Sequence, residues 1–465
     1  LPDYYLANLC FAVKIKFNQL SIRKPMNPIA EELNEIIKNS NPYIFEMLSD
    51  MGKSLFFPKG ILSQSAEARE KAHKINATIG IAKENNHVLS LDSITRYIRD
   101  IEPDEYLPYA PSFGIPELRK KWKSEIYIKN PGLKDKEISL PVVTSGITHG
   151  ISILSDLWVN KNDLIILPDM FWGNYSLTFC VRNSARLVHY KAYDENLTHF
   201  NMESFEQVVR EQAKLNAKII VLLNFPHNPT GYSLTSSESA KVADILIDIA
   251  QKGTKVIVGC DDAYFGLFFK DETSKESIFS KLAGADKRLL AVKLDGATKE
   301  DYVWGLRVGF ISYGISCDDP RVYEALEKKT AGCIRGNISN ASNLSQTLVL
   351  KSMADKNYET YKKEKYELLK NRAEKMQQVL QHPQYAEYFD VYPFNSGYFM
   401  CIRLKDVNAE QLRLHLLNKY GTGLISMGDK NIRIAFSCLE VTDVEPLFDI
   451  ILSGIKDLRK QGGKN

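Results

Sequence analysis

With 465 residues, 44% of them apolar and 25% charged, the chain is long enough for one large core and a second smaller one. A formal net charge of +3 offers no broad field for nucleic acid or an anionic membrane, so any positive charge that matters must be local. Seven scattered cysteines, with no CxxC or Cys/His ligand spacing, point away from a disulfide scaffold or a structural metal and toward a reduced, cytoplasmic compartment.

The apolar stretch from Tyr4 to Val13 is too short to span a bilayer and lacks a basic leader and a small-residue cleavage site. Met26 stands just ahead of a helical stretch, Asn27 to Ile37, and residues 1–25 are read as an upstream or non-native extension outside the fold. From about residue 139, short apolar runs alternate with longer amphipathic stretches, the pattern of βαβ units and a mostly parallel sheet. The runs are 140–143, 163–167, 217–223, 255–259 and 288–292, each nearly unbroken, as a strand covered on both faces must be. Between the third and fourth, Thr235 and Glu238 have capping-box spacing, and Val242, Ile245, Leu246 and Ile249 follow along one helical face. Residues 366–390 predict a charged helix, and strand-like sequence follows as far as Arg433. The expected partition is 26–85 as the N-terminal part of a small domain, 86–365 as a large ligand-binding domain and 366–465 as the C-terminal part of the small one. Without a repeat, low-complexity tract or Gly/Ser linker, the two domains are expected to pack together.

Chemistry concentrates in six segments: Thr144 to Gly150, Asn228-Pro229-Thr230-Gly231, Asp261-Asp262-Ala263-Tyr264, Leu294 to Lys299, Gly305 to Gly309 and Asn431 to Phe436. Several fall at the C-terminal ends of predicted strands, where open α/β sheets bind ligands. Singly they are weak. Asn-Pro-Thr-Gly is ordinary turn sequence, in which the Asn228–Pro229 bond is compatible with either cis or trans. A lone lysine is usually a solvated charge, a tryptophan is usually core, and a Ser-Gly loop is usually a connection. In this order, however, the segments resemble the fold type I pyridoxal-phosphate-dependent aminotransferases, particularly the aspartate and aromatic aminotransferase group, over roughly residues 75–440.

That resemblance implies an α/β fold, a mostly parallel central sheet flanked by helices with a smaller α+β domain, and pyridoxal 5'-phosphate as cofactor. Lys299 resembles the Schiff-base lysine, whose amine must be neutral to attack the aldehyde and later moves the substrate Cα proton. Asp261 resembles the carboxylate that keeps the pyridine nitrogen protonated; strand alternation lets only one of Asp261 and Asp262 face the ring, and the family spacing selects the first. Tyr264 and Asn228 resemble the donors to the phenolate oxygen, and Trp172, in a Trp-x-Asn pattern with Asn174, resembles the wall stacked on the ring. Arg307, eight residues past the lysine, resembles the phosphate arginine, with Gly146, Ile147 and Thr148 as a backbone cradle at a helix start. Arg433 resembles the residue that grips the substrate α-carboxylate, beside Asn228, Trp172 and Gly80. Two departures stand out: Gly296 occupies the position where a phosphate-binding serine is common, with Thr298 the candidate replacement, and the Ile75 to Gly80 segment carries alanine and threonine in a usually glycine-containing pattern. No metal is implied.

The resemblance also implies a homodimer with shared active sites, through Tyr109 as the tyrosine that reaches the neighbouring subunit's phosphate. Arg335 falls near the position of the arginine that, from the other subunit, binds a dicarboxylate side chain; the bland alternative is a helix-cap or interface salt bridge. Between an amino acid and a 2-oxo acid the expected chemistry is ping-pong transamination. A β-eliminating lyase or decarboxylase of the same fold is the enzymatic rival. A ligand-sensing regulator is disfavoured because the residues ahead of the first motif lack a concentrated basic recognition helix.

Overall fold

Residues 26–57 and 60–462 are described by the computed structural model. The extension assigned to residues 1–25 lies outside them. The chain divides after Phe57 into two units. In the first, α1 (Pro28–Ser40), α2 (Pro42–Met47) and α3 (Asp50–Ser54) are each preceded by a polar residue, Asn27, Asn41 and Ser49 respectively, whose side chain accepts a backbone N–H of the helix's first turn. Proline at the first position of α1 and α2 supplies the helical φ without losing a hydrogen bond.

The second unit is built on a seven-stranded sheet: β1 (Val142–Ser145), β2 (Leu164–Pro168), β3 (Arg186–Tyr190), β4 (Lys218–Asn224), β5 (Lys255–Asp261), β6 (Leu289–Asp295) and β7 (Val308–Gly314). Its order is β1-β7-β6-β5-β4-β2-β3, with every pairing parallel except the two made by β7. The fold is therefore α/β with a mixed, mostly parallel central sheet. The five apolar runs became β1, β2, β4, β5 and β6. Two strands were not anticipated, for different reasons. Strand β3 is an edge strand with exposed Arg186 and His189, so it is no unbroken apolar run. Strand β7 is wholly buried but interrupted by Gly309 and Ser312.

Helices cover the sheet: α4 (Gly146–Trp158), α5 (Met202–Leu215), α6 (Ser236–Gln251) and α7 (Arg321–Asn337). The start of α6 has the expected reciprocal cap, with Glu238 N–H donating to Thr235 Oγ1 at 3.2 Å and Thr235 N–H donating to Glu238 Oε2 at 2.8 Å. Its Val242, Ile245, Leu246 and Ile249 are buried as one face.

The long α8 (Tyr358–Leu380) leads into a four-stranded antiparallel sheet of β8 (Phe389–Val391), β9 (Phe399–Leu404), β10 (Ile425–Met427) and β11 (Asn431–Ala435), ordered β8-β9-β11-β10. Two further helices, α9 (Ala409–Tyr420) and α10 (Val444–Gly462), complete this region. Ile75 and Asn76 pair in parallel with Thr422 and Gly423 in a separate two-stranded sheet, which ties the early segment to the C-terminal region. Among the described residues no helix is long and apolar enough to cross a membrane.

The sheet's register gathers the motifs. Asn224 and Asp261 are direct neighbours at the ends of β4 and β5, and Asp261 is level with Leu294 near the end of β6. Because β7 runs the other way, its first residue Val308 is level with Ser145, at the last position of β1. Arg307 is thereby delivered to the same edge as the parallel strands' C-terminal ends.

Candidate active site

At that edge lies a cleft whose walls include Lys299, Asp261, Tyr264, Asn228, Trp172, Thr298, Ile147, Thr148, Arg307, Gly80 and Arg433. Lys299 lies in the helical turn Ala297–Glu300 after β6, and its carbonyl accepts from the Tyr398 hydroxyl at 3.2 Å. Its amine stands 4.7 Å from the centroid of the Tyr264 ring. Burial, opposed by the charge of Asp261 and reinforced by that of Arg307, pulls the amine pKa down to about 8. A substantial neutral fraction is thus available near neutral pH.

Asp261 is 2% exposed. Its Oδ2 accepts from the Tyr175 hydroxyl at 2.6 Å and its Oδ1 from the Ala263 N–H at 3.1 Å. Burial raises its pKa, while Tyr175 and the nearby Lys299 hold it down. Asp262, on the opposite face of the chain, pairs with buried Lys293, which also lies 3.4 Å from Asp295. The alternation expected at this position is what the structure has.

Asn224 links two of the motifs. Its amide donates to the Asp261 carbonyl at 2.9 Å, and its Oδ1 accepts the Asn228 N–H at 2.9 Å. The cis peptide found among the described residues is Phe225–Pro226, not Asn228–Pro229. Burial raises the Tyr264 phenol well above its ordinary range, opposed by Arg433.

On the arginine side, space is the constraint. Gly146 has φ +76°, and a Cβ there would fall 2.5 Å from Arg307 Nη2; glycine alone lets the guanidinium lie against the start of α4. A Cβ on Gly309 would fall 2.6 Å from the Gly146 carbonyl carbon. Gly296 is equally confined: a Cβ would stand 2.6 Å from the Val308 carbonyl oxygen and 2.8 Å from Gly309 Cα. No serine can occupy that position without moving β7, which accounts for the departure noted above. Thr298, buried beside it, directs its hydroxyl to the Val308 carbonyl at 3.4 Å.

Arg433, on the inner strand β11, is 2% exposed, with its neighbours Ile432 and Ile434 fully buried. Its Nη2 donates to the Thr78 carbonyl at 2.9 Å and its Nη1 to Asn228 Oδ1 at 3.3 Å, and its guanidinium carbon lies 4.3 Å from the Phe399 ring centroid. Its Nε has no partner among the described residues. Gly80 is held against this wall, with a hypothetical Cβ 3.2 Å from Phe399 Cζ. Trp172 is half-buried and meets Tyr175 edge-on, with centroids 5.6 Å apart and planes at 81°.

Tyr109 and Arg335 do not join the cleft of their own chain. Tyr109 is 91% exposed. Arg335, in the last turn of α7, is exposed and donates to Ser339 Oγ at 2.8 Å. Sequence reading missed Tyr175, Asn224, Trp304, Phe399 and Ile61, all of which line the cleft. Asn224 left a signal, a polar residue closing an apolar strand, and Tyr175 left another, three positions past Trp172. The remaining three left none.

The family profile described as aminotransferase class I and II matches residues 72–451. The aspartate aminotransferase of Pyrococcus horikoshii is 25% identical over 381 residues, which cover 81% of this chain and 90% of that protein. Among solved structures, an aminotransferase from Anaerococcus prevotii superposes with a TM-score of 0.78 at 22% identity, covering 88% of this chain and 99% of that one. The kynurenine aminotransferase of Pyrococcus horikoshii, solved in complex with PMP, has a TM-score of 0.72 at 16% identity, over 89% and 98% of the two chains. These structural likenesses bear on the fold.

Proposed function

Because the chain belongs to the aminotransferase class I and II family, the fold type I pyridoxal-phosphate-dependent aminotransferases, we propose that it moves an amino group between an L-amino acid and a 2-oxo acid with pyridoxal 5'-phosphate held at Lys299. The observation that carries this reading is a buried amine with its pKa drawn down to about 8, sharing one cleft with a buried carboxylate and two arginines.

The residues present fit that cofactor. The glycine pair Gly146 and Gly309 leaves room for Arg307 at the N-terminus of α4, where a guanidinium and first-turn N–H groups of Ile147 and Thr148 suit a phosphate. Asp261 would sit against the pyridine nitrogen, Asn228 and Tyr264 at the phenolate oxygen, and Trp172 along the ring. When bound, the cofactor supplies an electron sink for the charge left on the substrate Cα when its proton departs. Lys299, once free of the cofactor, would take that proton on Nζ and hold it for return, a role its lowered pKa suits. Arg433, with an unpartnered Nε, orients the substrate by its α-carboxylate and so fixes which Cα bond stands across the ring.

We propose further a cytoplasmic homodimer with shared sites and a dicarboxylic substrate, aspartate or glutamate with 2-oxoglutarate, recognised by Arg335 of the partner subunit. In support, the exposed Leu107, Tyr109, Ile338 and Leu344 belong to segments joined by hydrogen bonds from Ser112 to the Ser339 carbonyl and from Asn343 to the Glu105 carbonyl. Tyr109 and Arg335 are thus carried on neighbouring segments. The proposed partition is a large lobe of 86–365 and a small lobe formed by 366–465 together with the segment that ends at residue 85.

Amino acids offered singly to the loaded protein test the reaction. One equivalent of 2-oxo acid per subunit, then a stop until a second 2-oxo acid is added, is expected; continuous release would mean a lyase or decarboxylase. For the substrate, Arg335→Ala should depress turnover of aspartate or glutamate far more than that of an aromatic donor, and equal losses would remove the dicarboxylate reading.

A further inference from the structure

His227 is absent from the motif roles above, yet it joins two of them. It is 4% exposed, directly before Asn228, and each of its ring nitrogens has a partner. Nε2 lies 2.9 Å from the carbonyl of Met170, two residues ahead of Trp172. A carbonyl only accepts, so Nε2 carries the hydrogen. Nδ1, left as the acceptor, lies 2.8 Å from Thr230 Oγ1 and 3.3 Å from the buried Tyr193 hydroxyl, two hydroxyls that also contact each other. Burial pulls the imidazole pKa down to about 4, so the ring is neutral at working pH and the tautomer is fixed by its surroundings.

The backbone adds to the clamp. His227 N–H donates to the Tyr232 carbonyl and the Gly231 N–H to the His227 carbonyl, both at 2.8 Å, so the ring is rigidly attached to the turn that bears Asn228. The loop after β2 that bears Trp172 meets that turn through the Nε2 bond.

We propose that His227 is a positioning residue that sets the separation between the Trp172 wall and the Asn228 amide, through Met170 on one ring nitrogen and Thr230 on the other. The inference rests on the transaminase reading, in which those two groups address the face and the phenolate oxygen of one ring. Loosening the clamp withdraws a donor from an anionic oxygen and so raises the pH at which the bound cofactor's absorption changes.

The experiment compares wild type, His227→Leu and His227→Gln, each reconstituted with pyridoxal phosphate and titrated by absorbance. The wild type is first trapped with borohydride and mapped at Lys299. Leucine removes both hydrogen bonds and should raise the midpoint by about one pH unit, the low end of what one hydrogen bond to a charged group is worth. Glutamine, which can donate and accept in the same places, should bring it back to within about 0.3 unit of wild type. Thr230→Val, which deletes the nearer of the two hydroxyls beside Nδ1 and leaves that of Tyr193, should move it the same way as leucine and serves if the leucine protein does not fold. An unmoved midpoint in the variants, or glutamine displaced as far as leucine, overturns the inference. A wild type without label at Lys299 overturns the reading beneath it instead.

Discussion

Tyr175→Phe removes a single oxygen from a fully packed position, which makes it a clean probe of how Asp261 is kept charged. The phenol is 2% exposed and its hydroxyl is 2.6 Å from Asp261 Oδ2, so phenylalanine fills the same volume and leaves the carboxylate only the Ala263 N–H and the field of Lys299. A hydrogen bond to a charged group contributes about 1.5–3 kcal/mol. Burial already raises the Asp261 pKa, and losing Tyr175 should raise it by about one to two units more, at about 1.36 kcal/mol per unit. A more basic carboxylate is more readily protonated itself and holds the proton less firmly on the pyridine nitrogen, which should weaken the electron sink, and kcat/KM should fall roughly 10- to 150-fold, the equivalent of that energy. The assay is the single-turnover rate with one amino acid, read beside the cofactor dissociation constant and the unfolding midpoint. Should Tyr175→Phe keep its rate within about twofold of wild type, Tyr175 does not govern the state of Asp261 and the reasoning fails.

Other outcomes follow from the same geometry. Restoring the family's serine with Gly296→Ser should weaken cofactor binding, not strengthen it, because its Cβ would meet the Val308 carbonyl at 2.6 Å; tighter binding by equilibrium dialysis would contradict this. Arg433→Lys keeps the charge but loses the planar fork, so kcat/KM for amino acids should drop roughly 10- to 100-fold while the label at Lys299 persists; steady-state kinetics beside peptide mapping would show both. Stability should also carry the mark of His227. The imidazole titrates near 6.5 when unfolded and about 4 when folded, so the unfolded state binds its proton first and stability falls as pH drops through that window. The full effect is about 3 kcal/mol by the difference in pKa. Denaturant unfolding of His227→Gln should show a correspondingly flatter slope between pH 6.5 and 4, and an unchanged slope would count against a neutral buried imidazole.

The sheet was readable where buried strands are unbroken apolar runs, which have no other economical explanation, and it was lost at β3, whose outer side is wet, and at β7, whose buried run is interrupted by Gly309 and Ser312. The site was readable where a residue type is required by its chemistry. Lys299, Asp261 and Arg307 converge because the ends of β5 and β6 share an edge with the start of antiparallel β7, and Arg433 reaches the same cleft from β11 of the four-stranded sheet; that convergence is topological, and no spacing along the chain reveals it. Tyr175 and Asn224 act through other residues and could have been found only by asking what a buried carboxylate and a tight turn need. Gly296 looked like a missing ligand in sequence; in three dimensions it is a place where two backbones pass too closely for any side chain. Tyr109 and Arg335 lie outside the cleft of their own chain, and nothing within one chain specifies what they would touch.

The central claim is covalent attachment of the cofactor at one amine. Protein loaded with pyridoxal phosphate, reduced with borohydride, digested and mapped by mass spectrometry should carry the pyridoxyl group on the peptide containing Lys299, and Lys299→Ala should carry none. A label on another lysine, or an unlabelled wild type after loading, would contradict the account.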